Sequence, residues 1–540
     1  MEKRRTPSHR VRYFIRNSNS AFHPKHLSYK WFLLANIMLG TFMAVLDATI
    51  VNVGLPKIMA SFGVGLDKIE WVVTAYMLAM AVALPTSGWL ADKFGYKRLY
   101  FIGLFLFTLG SMLCGRSSDE NMLIFSRVIQ GFGAGTIQPL GMAIITREFP
   151  PHQRGIALGF WGISAAASVS FGPLIGGFLI DKFSWPLIFD VNIPVGILAM
   201  IFTIIIQSEY INRKTRKFDI VGFISVTIFL PLTLYILSQG NAATNSAGWH
   251  APFILAYGAI ALIALAVFIT AELTVKEPLL DLRLLKNHNF GIANIILVIF
   301  SLGMFGSTFL LPIYLQNSLG YTALQAGSVF LPVGIIQGTI APISGRISDK
   351  FNPKLPLFIG VVLFAFSFYL NSNLSWLTEL HFIMLSLYLR GVAMGLMFTA
   401  LTTVSLSEIP REKMAQASAI TNSIRQLGGS LGVALLATLL TTRVNYHAQV
   451  FGNAVKPGSE IYQQTSTKIK YYLQNDAGSS PANAARQSQA MLLSNLSKQA
   501  YIQGIDDDFL LAGIITLMGG IPIIFLHTKK LKIKNLPANE

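Results

Sequence analysis

Apolar residues run through this chain in long blocks, and polar residues are confined mainly to the short gaps between them. The blocks cover roughly 31–54, 71–91, 98–115, 122–146, 155–180, 186–207, 219–238, 252–272, 290–314, 326–345, 355–371, 380–402, 416–440 and 509–527. A helix needs about 20 mostly apolar residues to cross a bilayer. The pattern therefore predicts fourteen transmembrane helices and an all-α polytopic membrane protein. One stretch, 441–508, breaks the rhythm and reads as a long outer loop. Within it, 459–474 and 484–504 are patterned as amphipathic helices, with Leu492, Leu496 and Ala500 four apart. The stretch from Asp476 to Pro481 reads as the turn between them.

Composition agrees with a lipid solvent. Of 540 residues, 53% are hydrophobic and 12% charged, with a mean hydropathy of +0.54. A soluble domain carries about 25% charged residues. The net charge of +17 sits in short clusters between apolar blocks rather than along a basic, aromatic-interleaved surface. That distribution suits topology control and anionic lipid headgroups, and argues against nucleic acid.

The clusters also orient the chain. An even number of spans puts both ends on one side, and both ends are basic: Lys3, Arg4, Arg5, Arg10, Arg12, Arg16, Lys25 and Lys30 before the first block, Lys529, Lys530, Lys532 and Lys534 after the last. Short loops on that side carry seventeen Lys and Arg, from Lys93 to Lys413, against four on the other: Lys57, Lys68, Arg116 and Lys182. Positive residues stay inside, so both termini are expected in the cytoplasm. The first block is too long for the apolar region of a signal peptide and lacks a small-residue cleavage site, so it reads as a retained helix.

Residues 88–97, G-W-L-A-D-K-F-G-Y-K, recur as 345–354, G-R-I-S-D-K-F-N-P-K, with Gly88, Asp92, Lys93, Phe94 and Lys97 matched 257 residues later. Both copies follow the second block of a set of six. The division expected is a cytoplasmic tail (1–30), a six-helix bundle (31–207), two inserted helices (208–286), a second six-helix bundle containing the outer loop (287–528) and a cytoplasmic tail (529–540). Parallel six-helix repeats build transporters whose sites lie near the midplane, between the halves.

These residues resemble the major facilitator superfamily, and within it the fourteen-helix drug:proton antiporter branch, the EmrB/QacA group. G-W-L-A-D-K-F-G-Y-K-R (88–98) matches the loop signature of the superfamily. L-I-F-S-R-V-I-Q-G-F-G-A-G (123–135) matches the fourth-helix motif centred on Arg127, and F-G-P-L-I-G-G-F-L (171–179) the fifth-helix antiporter motif. L-D-A-T-I-V-N-V-G-L-P (46–56), W-V-V-T-A-Y-M-L-A (71–79) and A-S-A-I-T-N-S-I-R-Q-L-G-G-S-L-G-V-A (417–434) are similar to this branch in particular. The chain departs from the pattern at Ser168, at Trp185-Pro186 and at Asp190.

Few residues offer chemistry. Asp47 lies mid-block between A-V-L and A-T-I-V. A charge at the bilayer centre costs about 2.5–3.5 kcal/mol on insertion scales, and apolar surroundings disfavour a carboxylate ion. Such a group suits the binding and release of a proton; the alternative is a structural ion pair. Arg127 keeps its charge and must pair or face water. The resemblance implies that it takes part in proton coupling, with Asp47. In the second half, Arg425, with Asn422 and Gln426, and Arg390 form a candidate polar site. Gly88, Asp92, Lys93, Gly95, Lys97 and Arg98, with Asp349 of the second copy, are what the family reading makes a cytoplasmic gate. Gly172, Pro173, Gly176 and Gly177 are the antiporter motif, a small-residue stripe that allows close helix contact. Tyr76, Trp161, Phe309, Tyr314 and Gln316 are candidates for a substrate cavity.

No enzyme signature is present. The phosphate-binding G-x-x-x-x-G-K-[ST] is missing, the nine His lack ligand spacing, and the one cysteine, Cys114, permits no intrachain disulfide. No cofactor or metal is expected. The expectation is a proton-coupled exporter of small, largely apolar or amphipathic compounds in the cell inner (plasma) membrane, working by alternating access. Its partners would be substrate, protons and lipid, with a periplasmic adaptor protein and outer-membrane channel left open. Three alternatives stand beside it: a dedicated exporter of one lipid, siderophore or metabolite, a non-transporting receptor or scaffold, and an uptake symporter, which only the fifth-helix motif disfavours.

Overall fold

A computed structural model describes residues 27–527 apart from 150, 211–217, 241–244, 246, 351, 407–408, 410–413, 457–458, 476 and 478. Within helices, the side chains of 27–28, 85, 146, 151–156, 158–159, 163, 165–166, 169–170, 238, 349–350, 406, 414–416, 418–419, 454 and 461 also lie outside that description. Among the described residues there is no strand, and a long helix stands at each predicted position. These are α1 (Leu27–Phe62), α2 (Leu66–Phe94), α3 (Tyr96–Gly115), α4 (Glu120–Glu148), α5 (Pro151–Lys182), α6 (Asn192–Ile206), α7 (Ile220–Gln239), α8 (Pro252–Thr274), α9 (His288–Asn317), α10 (Leu331–Lys350), α11 (Lys354–Asn371), α12 (Leu380–Leu406), α13 (Met414–Ala454) and α14 (Pro481–Gly520). Shorter helices are referred to by range. Among the described residues, twelve helices are long and apolar enough to cross a membrane. α2 makes a thirteenth when its arms, Leu66–Leu84 and Thr86–Phe94, bent by 52°, count as one span. The bend falls at Pro85, whose missing N–H breaks the backbone ladder.

α1 packs against α5, α6 and α4; α2 against α4; and α3 against α4 and α6. The later helices repeat this, with α9 on α13 and α14, α10 on α12, and α11 on α12 and α14. The two sets meet along α2 and α13, along α1 and α9, and where α5 lies on Ala323–Ser328 and α10. α7 and α8 pack on each other, and α7 also on α13 and α2.

The repeat extends to the glycine contacts. A methyl group at Gly131 or Gly135 of α4 would strike the Tyr76 or Met80 carbonyl of α2. One at Gly391 or Gly395 of α12 would strike the Val333 or Gln337 carbonyl of α10. Each glycine pair is 260 residues apart and each carbonyl pair 257. Outward-facing side chains such as Leu262, Ile263, Phe358 and Ile524 are mostly uncovered, as a lipid-facing surface requires.

The polar stretch 441–508 is not a loop. α13 has 41 residues and α14 has 40, so each is about 60 Å long, twice the ~30 Å of a hydrocarbon core. Both extend beyond the thickness of a hydrocarbon core, with Glu460–Asn475 packed on α14. The expected amphipathic helices are thus a separate short helix and the leading half of α14. Asp507 ties the two rods together, accepting from Arg443 Nε at 3.2 Å and meeting His447 Nε2 at 2.7 Å. His447 is therefore a half-buried tie.

Candidate transport site

Asp47 lies 20 residues into α1 and is fully buried. α4 brings Arg127 to it, also fully buried, and its Nη1 donates to Asp47 Oδ2. One turn on, Gln130 binds both members of the pair. Its Oε1 accepts from Arg127 Nη1 at 2.6 Å, and its Nε2 donates to Asp47 Oδ1 at 2.8 Å. α6 contributes Asn192, whose Nδ2 donates to the same Oδ1 at 3.0 Å. α3 contributes Ser111, whose hydroxyl accepts from Gln130 at 2.6 Å. Arg127 Nε donates to the Val72 carbonyl at 2.9 Å, and its guanidinium lies 4.0 Å over the Tyr76 ring. Five helices thus hold one ion pair in a closed polar cage. A buried pair withstands its desolvation cost only when its remaining lone pairs and protons are bonded in this way. Neutralising Asp47 would remove the counter-charge of an arginine that keeps its own charge.

Gly172 and Gly176 of α5 seat against Thr49 and Ile50 of α1. On another side of the same helix, Gly177 lies against the backbone of Ala323 and Leu324, and the Pro173 carbonyl meets Gly327. Asp181 then caps Ala323–Ser328, accepting from Ala323 N at 3.2 Å and Leu324 N at 2.8 Å. Gln316 of α9 donates to the Val53 carbonyl of α1 at 2.9 Å. The two sets are therefore joined closely on the face far from the termini.

In the second set the described polar groups do not form a cage. Arg390 is buried over the Phe368 ring at 5.3 Å, and Arg425 lies 5.7 Å from the Phe398 ring. Gln426 is buried and Asn422 half-buried beside Arg425 on α13.

Comparison with known proteins gives this arrangement a family. The family described as Major Facilitator Superfamily matches residues 37–433. The chain belongs to the Major Facilitator Superfamily. It is a multi-pass membrane protein. An uncharacterized MFS-type transporter of Bacillus subtilis, YhcA, is 31% identical over 519 residues, covering 94% of this chain and 95% of YhcA. The multidrug export protein EmrB of Haemophilus influenzae is 31% identical over 504 residues, 92% of this chain and 96% of EmrB. That kinship fits the EmrB/QacA branch. Among solved structures, a bacterial homologue of the human lysosomal transporter Spinster shares the fold. It has a TM-score of 0.62 at 14% identity, and the match covers 93% of this chain and 99% of that one.

The superfamily loop between α2 and α3 is built on Gly95, which ends α2 with φ 99° and its N–H on the Ala91 carbonyl. That φ favours a residue without Cβ. Asp92 accepts from the Tyr96 hydroxyl at 3.2 Å, and Lys93 stands 4.6 Å over Trp89. Glu209, after α6, accepts from Lys97 N at 3.0 Å and pairs with Arg98 at 3.6 Å. These contacts lie within the first half and the residues just after it, and none reaches the second half; Gly88 has open space around it, and the Asp349 side chain is outside the described residues. Of the cavity candidates, Tyr76 joins the cage, its hydroxyl bonded to the Ala44 carbonyl at 3.0 Å. Trp161 donates to Thr41 at 2.8 Å and Tyr314 to the Ser375 carbonyl at 2.7 Å, while Phe309 is fully enclosed.

Sequence reasoning missed Gln130, Asn192, Ser111 and Glu209. Gln130 was within reach, one turn from Arg127 in the quoted motif. Asn192 follows the atypical Trp185-Pro186 stretch, where Leu187–Asp190 forms a separate turn of helix before α6.

Proposed function

We propose that this chain is a proton-coupled efflux transporter, a drug:H+ antiporter, that exports small, largely apolar or amphipathic compounds across the inner (plasma) membrane. All fourteen long helices span the membrane, both termini are cytoplasmic, and two six-helix halves (31–207 and 287–528) rock about a midplane site, with α7 and α8 inserted between them. The caged Asp47–Arg127 pair carries the reading: it is a carboxylate with no surface exposure, held by bonds that a single proton would weaken. Kinship with an exporter named for multidrug export supports the direction and the cargo.

A proton entering from outside neutralises Asp47, loosens the cage and favours the state that releases cargo outward. Loss of that proton to the cytoplasm re-forms the pair. One pH unit supplies ~1.4 kcal/mol per proton, and 100 mV adds ~2.3 kcal/mol per charge moved, so no ATP is required. The glycine contacts of α5 act as the outer seal, and the Gly88–Arg98 loop with Asp349 acts as the cytoplasmic gate. The rods of α13 and α14 offer a docking surface to a periplasmic adaptor leading to an outer-membrane channel.

The test is proton release on adding candidate drugs to solubilised protein. Wild type is expected to release protons, and Asp47→Asn to release none. Unchanged release in the variant would take Asp47 out of the coupling step.

A further inference from the structure

The first half neutralises its buried cation; the second half does not. Arg390 is 2% exposed, and its Nε, Nη1 and Nη2 have no hydrogen-bond partner. Arg425 buries an Nε that is equally unpartnered. Among the described residues neither has an acidic partner. The acids at the far end of α14 are spent elsewhere or unbonded: Asp506 accepts from Leu374 N, Asp507 holds Arg443 and His447, and Asp508 Oδ2 is unpartnered.

The packing repeat shows what differs. Arg390 directly precedes Gly391, as Gln130 precedes Gly131, so the two share one register. Gly172 meets the Leu46 carbonyl and Thr49, while Gly428 meets the Val298 carbonyl and Ser301, so Ile299 stands where the first half has Asp47. Gly103 lies against the Gly133 carbonyl and Gly360 against that of Ala393, which puts Asn371 in the place of Cys114. Cys114 touches Gln130 at 3.7 Å, whereas Asn371 is fully buried with both amide atoms unpartnered. The second half has therefore exchanged an amide for a guanidinium and an acid for isoleucine. Buried charges are retained when something pairs with them, and the described protein residues supply only the Phe368 and Phe398 rings, with no counter-charge.

We propose that the cargo is an amphipathic anion, a carboxylate- or sulfonate-type head on an apolar body, whose head is held by Arg425 while Arg390 supplies further positive potential in the second half. This rests on the transporter reading above and names its substrate class. Cargo and proton then bind in different halves, so conformation rather than competition for one carboxylate enforces exchange. Outward movement of a monoanion and inward movement of a proton carry charge in the same sense, so a membrane potential drives both.

The test is scintillation-proximity binding of radiolabelled octanesulfonate, a permanent monoanion, to the full-length protein in lipid nanodiscs, with octyltrimethylammonium as competitor. The sulfonate is expected to bind and the ammonium to compete poorly. Arg425→Gln is expected to weaken binding about tenfold, the scale of a lost charge-assisted contact, and Arg425→Lys to retain most of it. Absence of sulfonate binding, preferential binding of the ammonium, or equal loss in Gln and Lys variants would overturn the proposal. No gradient enters this measurement. Failure of the protein to move bound sulfonate in proteoliposomes under an imposed pH gradient would count against the transporter reading instead, leaving the anion site standing.

Discussion

At the residue scale, the cage around Asp47 makes its members unequal. Arg127→Leu strands a buried carboxylate and is expected to cost about 3–5 kcal/mol of stability. Gln130→Leu leaves an Arg127 N–H and single lone pairs on Asp47 and Ser111 unmet, at about 1–3 kcal/mol. Thermal unfolding in detergent should rank them in that order. Adding Asp47→Asn to Arg127→Leu should recover part of the loss, because the stranded charge goes with it. A double variant no more stable than Arg127→Leu alone would mean that the pair is not what holds these helices. Asp47 and Arg127 were legible in the sequence because a charge inside an apolar block has few innocent explanations. Gln130, Asn192 and Ser111 were not, because neutral polar side chains are common in spans and only the fold brings α4 and α6 to the carboxylate of α1, with α3 behind them. Nor could the sequence reveal that, among the described residues, Arg390 and Arg425 have no acidic partner, which is a property of their neighbours.

At the element scale, the contacts of α5 give a mechanical prediction. A valine at Gly177 would drive its side chain into the backbone of Ala323 and Leu324, where no flexible group can yield. Gly177→Val should hold the α5 contact with Ala323–Ser328 open. Spin labels at Lys182 and Tyr321 should then report a longer distance than in the parent protein, and transport should fall while cargo binding persists. An unchanged distance would show that this contact does not close the far face. Helix existence was legible throughout, since apolar length alone demands it. Helix ends were not where polar sequence continues a helix: α13 runs to Ala454 and α14 starts at Pro481, because helical hydrogen bonding does not stop where hydropathy does.

At the scale of the whole molecule, orientation is the property to test. A cysteine at Gln464, between the rods, should react with a membrane-impermeant maleimide in intact cells, and one at Arg283 only after permeabilisation. Cys114 is buried and adds little background. The opposite pattern would invert the topology and with it the direction of transport. The six-plus-two-plus-six plan was read from five residues repeated within a ten-residue stretch, and the carbonyls that face the glycines of α4 and of α12 stand at the same 257-residue spacing.

The length of α13 has a mechanical meaning of its own. The helix carries Arg425 within the bilayer and continues to Ala454, 29 residues further along, or ~44 Å at 1.5 Å per residue. It is one continuous lever, with an arm longer than a hydrocarbon core is thick. A tilt of 10° about the arginine would sweep the tip through ~8 Å, amplifying a small adjustment around the cargo into a displacement that another molecule could feel.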